Sequence, residues 1–395
     1  MRLLHVVPTY FPATRYGGPI HSVHGLCAAL AARGHDVHVF TTNVDGPGNS
    51  AVPLGCPVEM DGVKIWYFPS VRLRRLYWSP PMARALRREV GSFDLLHLHS
   101  VFLWPTWAAA RAARSAKVPY VVSPRGMLVK DLIRRKSRWL KSTWIRLIER
   151  ANLERAAAIH VTSETEAAEL LRFGFGLPPL ITIPNGFWLR DEAAALAASA
   201  DVEALLGHRL LILFLGRIHW KKGIDRLIPA LAAVPEAHLA VVGNDEENLL
   251  PELKALVERC GIAGRVSFLP RVVEGPDKHR LFAAAKVFVL PSYSENFGNV
   301  VVEAMALGCP VLVTPEVGTA EIVRESGGGR VAAGDPEAFG RALRTLVDDP
   351  DRVEIGARGR RYVNERLTWS AIAARMEHAY AGLSAARVAS KGLPP

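Results

Sequence analysis

Cysteine is scarce in this 395-residue chain: Cys27, Cys56, Cys260 and Cys309 stand far apart and form no C-x-x-C pair. That spacing offers neither a zinc site nor a disulfide framework and suits a reducing compartment. Long apolar runs are missing too. The run that opens MRLLHVVPTYFP stops at Pro8, too short for a signal-peptide core, and no later stretch approaches the roughly 18 apolar residues that a spanning helix needs. Any membrane contact is therefore expected to be peripheral. Neither G-x-G-x-x-G nor a Walker A motif occurs, which argues against nicotinamide and NTPase chemistry. The one Asp-x-Asp match, Asp349-Pro350-Asp351, lies between late helical patterns and reads as a turn and helix start, not a metal site.

Acidic residues are scarce in one half only. Met1 to Gly186 holds 24 basic against 12 acidic side chains, whereas Phe187 to Pro395 holds 25 against 26, so the net +11 belongs to the first half. The stretch Arg125 to Arg150 alone has nine basic residues against Asp131 and Glu149. Within it, residues 132–151 place Leu132, Trp139, Leu140, Trp144, Leu147 and Ile148 on one helical stripe with arginines beside it, an interfacial pattern. Such a surplus suits either a solvated helix packed on its own domain or an anionic membrane surface met through residues 125–150, and no nucleic-acid motif accompanies it.

What the sequence has in abundance is short apolar runs alternating with helical patterns, the signature of βα units around parallel sheets. Leu3 to Val7 reads as a strand, Pro8 to Gly18 as a loop and Pro19 as the first turn of a helix that Gly34 can stop. After Pro184-Asn185-Gly186 a second series starts: strands at Leu210 to Leu215, His238 to Gly243, Arg265 to Pro270 and Lys286 to Pro291, with helices at Lys222 to Val234 and Leu249 to Cys260. The fold class is α/β: two doubly wound Rossmann-like domains facing a central cleft, with ligands at the carboxyl ends of the strands. The expected domains are 1–186 with a terminal helix 368–395, and 187–367.

Three segments carry candidate chemistry. In KVFVLPSYSENFGNVVVEAMALGCPVLVT a strand runs into a loop and a helix that opens near Gly298 and Asn299, where backbone N–H groups and the helix dipole favour a phosphate. Glu295 precedes that opening and Glu303 follows it, a suitable acid for ribose hydroxyls or simply a residue that suits a helix start. In LFLGRIHWKKG, Arg217 and Lys222 flank a short loop and can stabilise a leaving diphosphate or lie solvated on the surface. In DLLHLHS, His97 and His99 share one face of a strand. They make a metal pair without a third ligand nearby, so a polar contact to substrate or a satisfied core histidine is the better expectation.

In order along almost the whole chain, the Gly17-Gly18 loop, the H-x-H strand, SPRGM (Ser123 to Met127), VTSETEA, IPNG (Ile183 to Gly186), LGRIHWKKG, the E-x7-E segment, GTAEIV and GDPEAF together resemble the retaining GT-B glycosyltransferases of family 4, the "group 1" glycosyltransferases. The resemblance implies that Arg217 and Lys222 bind the donor diphosphate, that Glu303 binds the ribose, and that Gly18 approaches phosphate and sugar. It implies that Glu295, with the backbone of Phe297, Gly298 and Asn299, holds the donor sugar, that Arg271 and Val272 lie near the base, and that His99 contacts the sugar near the reaction centre, His97 less so. It further implies a GDP- or UDP-linked sugar donor, a saccharide or lipid-linked acceptor, no metal or other cofactor, a role in bacterial cell-surface polysaccharide or glycolipid synthesis, and a cytoplasmic place on the inner face of the plasma membrane. Asn296 stands where Gly is commoner, which leaves the sugar open. The alternative is a basic membrane-surface or nucleic-acid binding protein on the same scaffold without transferase activity.

Overall fold

Runs of leucine and β-branched residues bounded by glycine, proline or polar turns become strands buried on both faces, as parallel sheets covered by helices require. The computed structural model describes residues 1–14, 17–130, 133, 143–188 and 197–391. The chain divides into two compact units, Met1–Gly186 with Trp369–Pro395 (unit 1) and Phe187–Thr368 (unit 2). No helix among the described residues is long and apolar enough to cross a membrane.

Unit 1 is built on strands β1 (Arg2–Val6), β2 (Asp36–Thr42), β3 (Pro57–Met60), β4 (Val63–Phe68), β5 (Leu95–His99), β6 (Tyr120–Ser123), β7 (Ala158–Val161) and β8 (Leu180–Thr182). They lie in the order β8-β7-β6-β5-β1-β2-β4-β3. Within this sheet, among the described residues, only β3 and β4 pair antiparallel, through Asp61-Gly62, whose φ angles of 48° and 74° supply the left-handed pair that a two-residue hairpin needs. Period-two alternation sorts the strand side chains. Leu4, Val6, Leu96, Leu98, Val122 and Ile159 join one apolar cluster, while His5, His97, His99, Ser123 and His160 fall on the opposite face, each almost fully buried. From β1 the chain winds outward through β2, then crosses back to β5 and winds the other way. The order therefore reverses between β1 and β5.

The last helix, Trp369–Lys391, belongs to unit 1. Its Trp369 ring packs so closely that a Cβ at Gly25 would lie 2.3 Å from Cε2, and one at Gly186 would lie 2.5 Å from Cδ2. Arg33 and Glu377 close an ion pair at 2.6 Å beside it. Gly25→Ala is therefore expected to cost about 1 to 3 kcal/mol by overpacking. A urea midpoint equal to that of the wild type would contradict this packing.

Half of the basic stripe at 132–151, residues 132 and 134–142, lies outside the described residues, and its described end departs from the expectation. Ile145–Glu149 winds as a π-turn, which shifts the helical phase by one residue. Leu147, expected on the apolar face, is 70% exposed, whereas Glu149 is buried. Glu149 Oε1 accepts from the Phe102 N–H and from Trp144 Nε1, both at 2.8 Å.

Unit 2 is a wholly parallel sheet of β9 (Leu211–Leu215), β10 (His238–Val242), β11 (Val266–Leu269), β12 (Val287–Leu290), β13 (Val311–Val313) and β14 (Gly329–Val331). The order is β11-β10-β9-β12-β13-β14, so the reversal here falls between β9 and β12.

Candidate functional site

In doubly wound sheets the loops on either side of an order reversal leave in opposite directions and open a crevice at the carboxyl ends of the strands. In unit 2 those loops are the ones after β9 and β12. They are the two loops that carry Arg217, Lys222 and Glu295. After β9, Trp220–Lys222 makes one 3-10 turn, and Gly223 ends it with φ 67°. A Cβ at Gly223 would lie 2.0 Å from the Pro291 carbonyl oxygen, so only glycine lets the two loops meet. The Tyr293 N–H donates to the Lys221 carbonyl at 2.7 Å, and the Lys222 ammonium pairs with the Glu295 carboxylate, both side chains largely shielded from solvent.

The loop after β12 is fixed from its other side as well. The Gly318 N–H donates to Glu295 O and the Thr319 N–H to Phe297 O, each at 2.9 Å. Thr314 Oγ1 donates to Ser292 O at 2.7 Å. Gly298 then turns the chain with φ 88° and caps the helix Asn299–Ala306, whose N-terminus opens beside Glu295. Glu303 lies one turn further along and meets the ammonium of Lys278. Arg217 is more exposed and donates to Glu246 at 2.9 Å.

The remaining expected residues of unit 2 have other surroundings. Arg271 is held by Asp201, Asp277 and Ser199, with Nε 2.8 Å from Asp201 Oδ2. Its guanidinium keeps the Asp201 carboxyl well below the usual range. Val272 is 60% exposed, and the Phe297 side chain is buried.

In unit 1 the reversal between β1 and β5 brings together residues that sequence spacing keeps far apart. Register pairs His5 with His97 and His99 with Ser123. His97 and His99 thus do have a third histidine beside them, His5, and the candidate ligand atoms of the three lie within 4.8 Å of one another. The expectation that no third ligand stands nearby is corrected: it came from reading one strand, and the third histidine comes from its parallel neighbour. His99 is 2% exposed. Its Nε2 faces His5 Nδ1 at 3.0 Å, and its Nδ1 accepts from Arg125 Nη2 at 3.3 Å. His97 lies between Tyr380 OH and Ser123 Oγ, 2.6 Å from each. Burial holds His5 and His160 at about 3 and His97 and His99 well below their usual value, so all four rings are neutral. Gly18, at the start of helix Gly18–Ala32, is exposed.

Backbone strain gathers at the same edge. Ser100 and Phe102 after β5 and Arg125 after β6 are non-glycine residues with φ of 75°, 63° and 55°. Strain of this kind concentrates at functional sites.

Comparison with known proteins places this geometry. Residues 17–186 match the glycosyl transferase 4-like domain, and residues 209–349 match the family described as glycosyl transferases group 1. A D-inositol 3-phosphate glycosyltransferase of Thermobispora bispora is 30% identical, over 74% of this chain and 71% of its own length. The chain belongs to the group 1 glycosyltransferases. Another relative of this glycosyltransferase, the D-inositol 3-phosphate glycosyltransferase of Xylanimonas cellulosilytica, is 29% identical over 96% of this chain and 95% of its own. Among solved structures, sucrose-phosphate synthase from Thermosynechococcus elongatus superposes with a TM-score of 0.74 at 24% identity, covering 98% of this chain and 100% of its own. Anabaena HepE in complex with UDP-glucose gives 0.72 at 20% identity, covering 97% and 100%. These likenesses carry the fold, a GT-B pair of Rossmann-type sheets. The alternative of a binding protein without transferase activity is not favoured.

Several polar residues that the two units bring together escape sequence reading. Lys278 comes from a helix with no motif, and Asp201 and Asp277 carry no spacing signal. His5 was detectable only by aligning the carboxyl ends of β1 and β5, and Tyr380 lies hundreds of residues from the histidine that it contacts.

Proposed function

We propose that this glycosyltransferase moves a sugar from a UDP- or GDP-linked donor to a saccharide or lipid-linked acceptor, retaining anomeric configuration and using neither metal nor another cofactor. The observation that carries the reading is the unit 2 crevice, where Lys222, Glu295 and the helix opening at Gly298 are tied into one rigid knot. Fixed positive charge from Lys222, Arg217 and the helix dipole offsets the charge that develops on the leaving diphosphate, the role otherwise given to a metal ion. Glu303 accepts hydrogen bonds from the ribose hydroxyls, with Lys278 orienting its carboxylate. Glu295 and the backbone from Phe297 to Asn299 hold the donor sugar, and Arg271 and Val272 border the base. The acceptor hydroxyl attacks the face from which the nucleotide departs, through an oxocarbenium-like state. A structure of HepE with UDP-glucose supports the UDP-linked donor.

In this reading unit 1 takes the acceptor, with Gly18 at the reacting end and His99, whose two ring nitrogens are engaged by His5 and Arg125, acting as a positioning residue behind it. The basic 125–150 segment docks on anionic lipid at the inner face of the plasma membrane, in polysaccharide or glycolipid synthesis. Glu303→Ala removes charged acceptors for two hydroxyls and should lower kcat/KM about a hundredfold, on the order of 3 kcal/mol. Donor-dependent transfer measured with this variant tests the assignment, and full activity refutes it. Co-sedimentation with anionic and neutral vesicles tests the docking: equal binding to both, unaffected by salt, would sink it.

A further inference from the structure

Three buried histidines within ligand distance of one another suggest a cation site at first sight. Counting protons reverses that reading. Arg125 has no acceptor atom, so His99 Nδ1 is the acceptor of their contact. Neutral His99 then carries its proton on Nε2 and donates it to His5 Nδ1. His5, also neutral, carries its proton on Nε2, a buried atom with no partner. The neighbouring chain runs one way as well. The Ile183 carbonyl can only accept, at 2.9 Å, so His160 is protonated on Nε2 and its Nδ1 accepts from Ser123 Oγ at 2.8 Å. Ser123 in turn accepts from His97 Nε2, which leaves His97 Nδ1 to accept from the Tyr380 hydroxyl. Every ring lone pair is occupied, and a guanidinium stands beside them. A cation finds no ligand here.

What the network leaves over is donors. Arg125 uses two N–H groups on neutral partners, Asn185 Oδ1 at 2.9 Å and His99, while its Nε is buried without a partner. Among the described residues no carboxylate forms an ion pair with it. Glu166, whose charge bears on Arg125, is committed elsewhere: Oε1 accepts from the Gly126 N–H at 2.7 Å, and Oε2 accepts from the Thr162 N–H and Oγ1 at 2.8 and 2.9 Å. Those bonds hold the Arg125-Gly126 turn, both residues at positive φ, and so keep a strained arginine in one place at the carboxyl edge of the sheet.

We propose that Arg125, positioned by Glu166, Asn185 and His99, is an oxyanion-binding residue of unit 1 that takes a phosphate or carboxylate group of the acceptor. The inference rests on the reading of unit 1 as the acceptor unit, but its test needs no turnover. Inorganic phosphate and acetate are titrated into the full chain carrying Arg217→Met and Lys222→Met, which removes the cations assigned to the donor diphosphate. One anion is expected to bind per chain, and which of the two binds tells a phosphate-bearing acceptor from a carboxylate-bearing one. Adding Arg125→Met should weaken that binding at least tenfold. Asn185→Asp, nearly isosteric, supplies an internal counter-ion to Arg125 and should weaken it as well while keeping the arginine. Binding of neither anion, or binding undiminished by both variants, overturns the proposal. Sugar transfer by the wild type is a separate readout, so failure of the donor assignment and failure of this site are distinguishable.

Discussion

Between pH 6 and pH 4.5 unit 1 is expected to unfold, well before most carboxylates protonate. His5, His97, His99 and His160 are buried and neutral, with folded values depressed to about 3 for His5 and His160 and well below the usual 6.5 for the other two. A depressed histidine binds fewer protons folded than unfolded, so its stabilising contribution is complete above the unfolded value and shrinks as pH falls toward the folded one. Each such ring removes about 1.4 kcal/mol per pH unit in that window, so His5 and His160 alone remove about 4 kcal/mol by pH 5, and His97 and His99 act in the same direction. Together the four rival the lower end of an ordinary domain's stability, about 5 to 15 kcal/mol. Seven of the nine tryptophans, all but Trp188 and Trp220, belong to unit 1, so intrinsic fluorescence followed down the pH scale reads this unit. An emission spectrum unchanged to pH 4.5 would contradict the buried-neutral assignment.

Lys222→Ala is expected to lower kcat/KM about a thousandfold, near the upper end for one preorganised charge in a shielded site, roughly 4 kcal/mol. The size follows from the surroundings. Lys222 keeps only 14% of its side chain exposed and is held against Glu295, whereas Arg217 is 55% exposed and shared with Glu246. Arg217→Ala should therefore cost less. The thermal midpoint of Lys222→Ala should fall by a few degrees, because the largely shielded Glu295 carboxylate loses its counter-ion, while the chain stays folded at assay temperature. Equal losses from the two variants would mean that both cations meet the diphosphate alike, against the rigid knot around Lys222.

The unit 2 crevice was legible because its residues sit in contiguous loops. Arg217 and Lys222 share one turn, and Glu295 to Glu303 share one strand-to-helix passage, so spacing alone put them near each other. The strands were legible for a similar reason: β9, expected at Leu210 to Leu215, spans Leu211–Leu215. The unit 1 network was not legible, because it is assembled by register. His5, His97, Ser123 and His160 come from four neighbouring strands, and Tyr380 reaches them from the last helix. Local period also failed where winding changes: a π-turn put Glu149 inside and Leu147 outside, against the stripe that a uniform helix implies.

The most direct test of the donor site is calorimetric titration of the full chain with UDP and with GDP, repeated on Lys222→Ala. One of the two nucleotides should bind the wild type at one site per chain and bind the variant at least a hundredfold more weakly. Binding of neither nucleotide, or equal binding to wild type and variant, would contradict a nucleotide-sugar site in the crevice between β9 and β12.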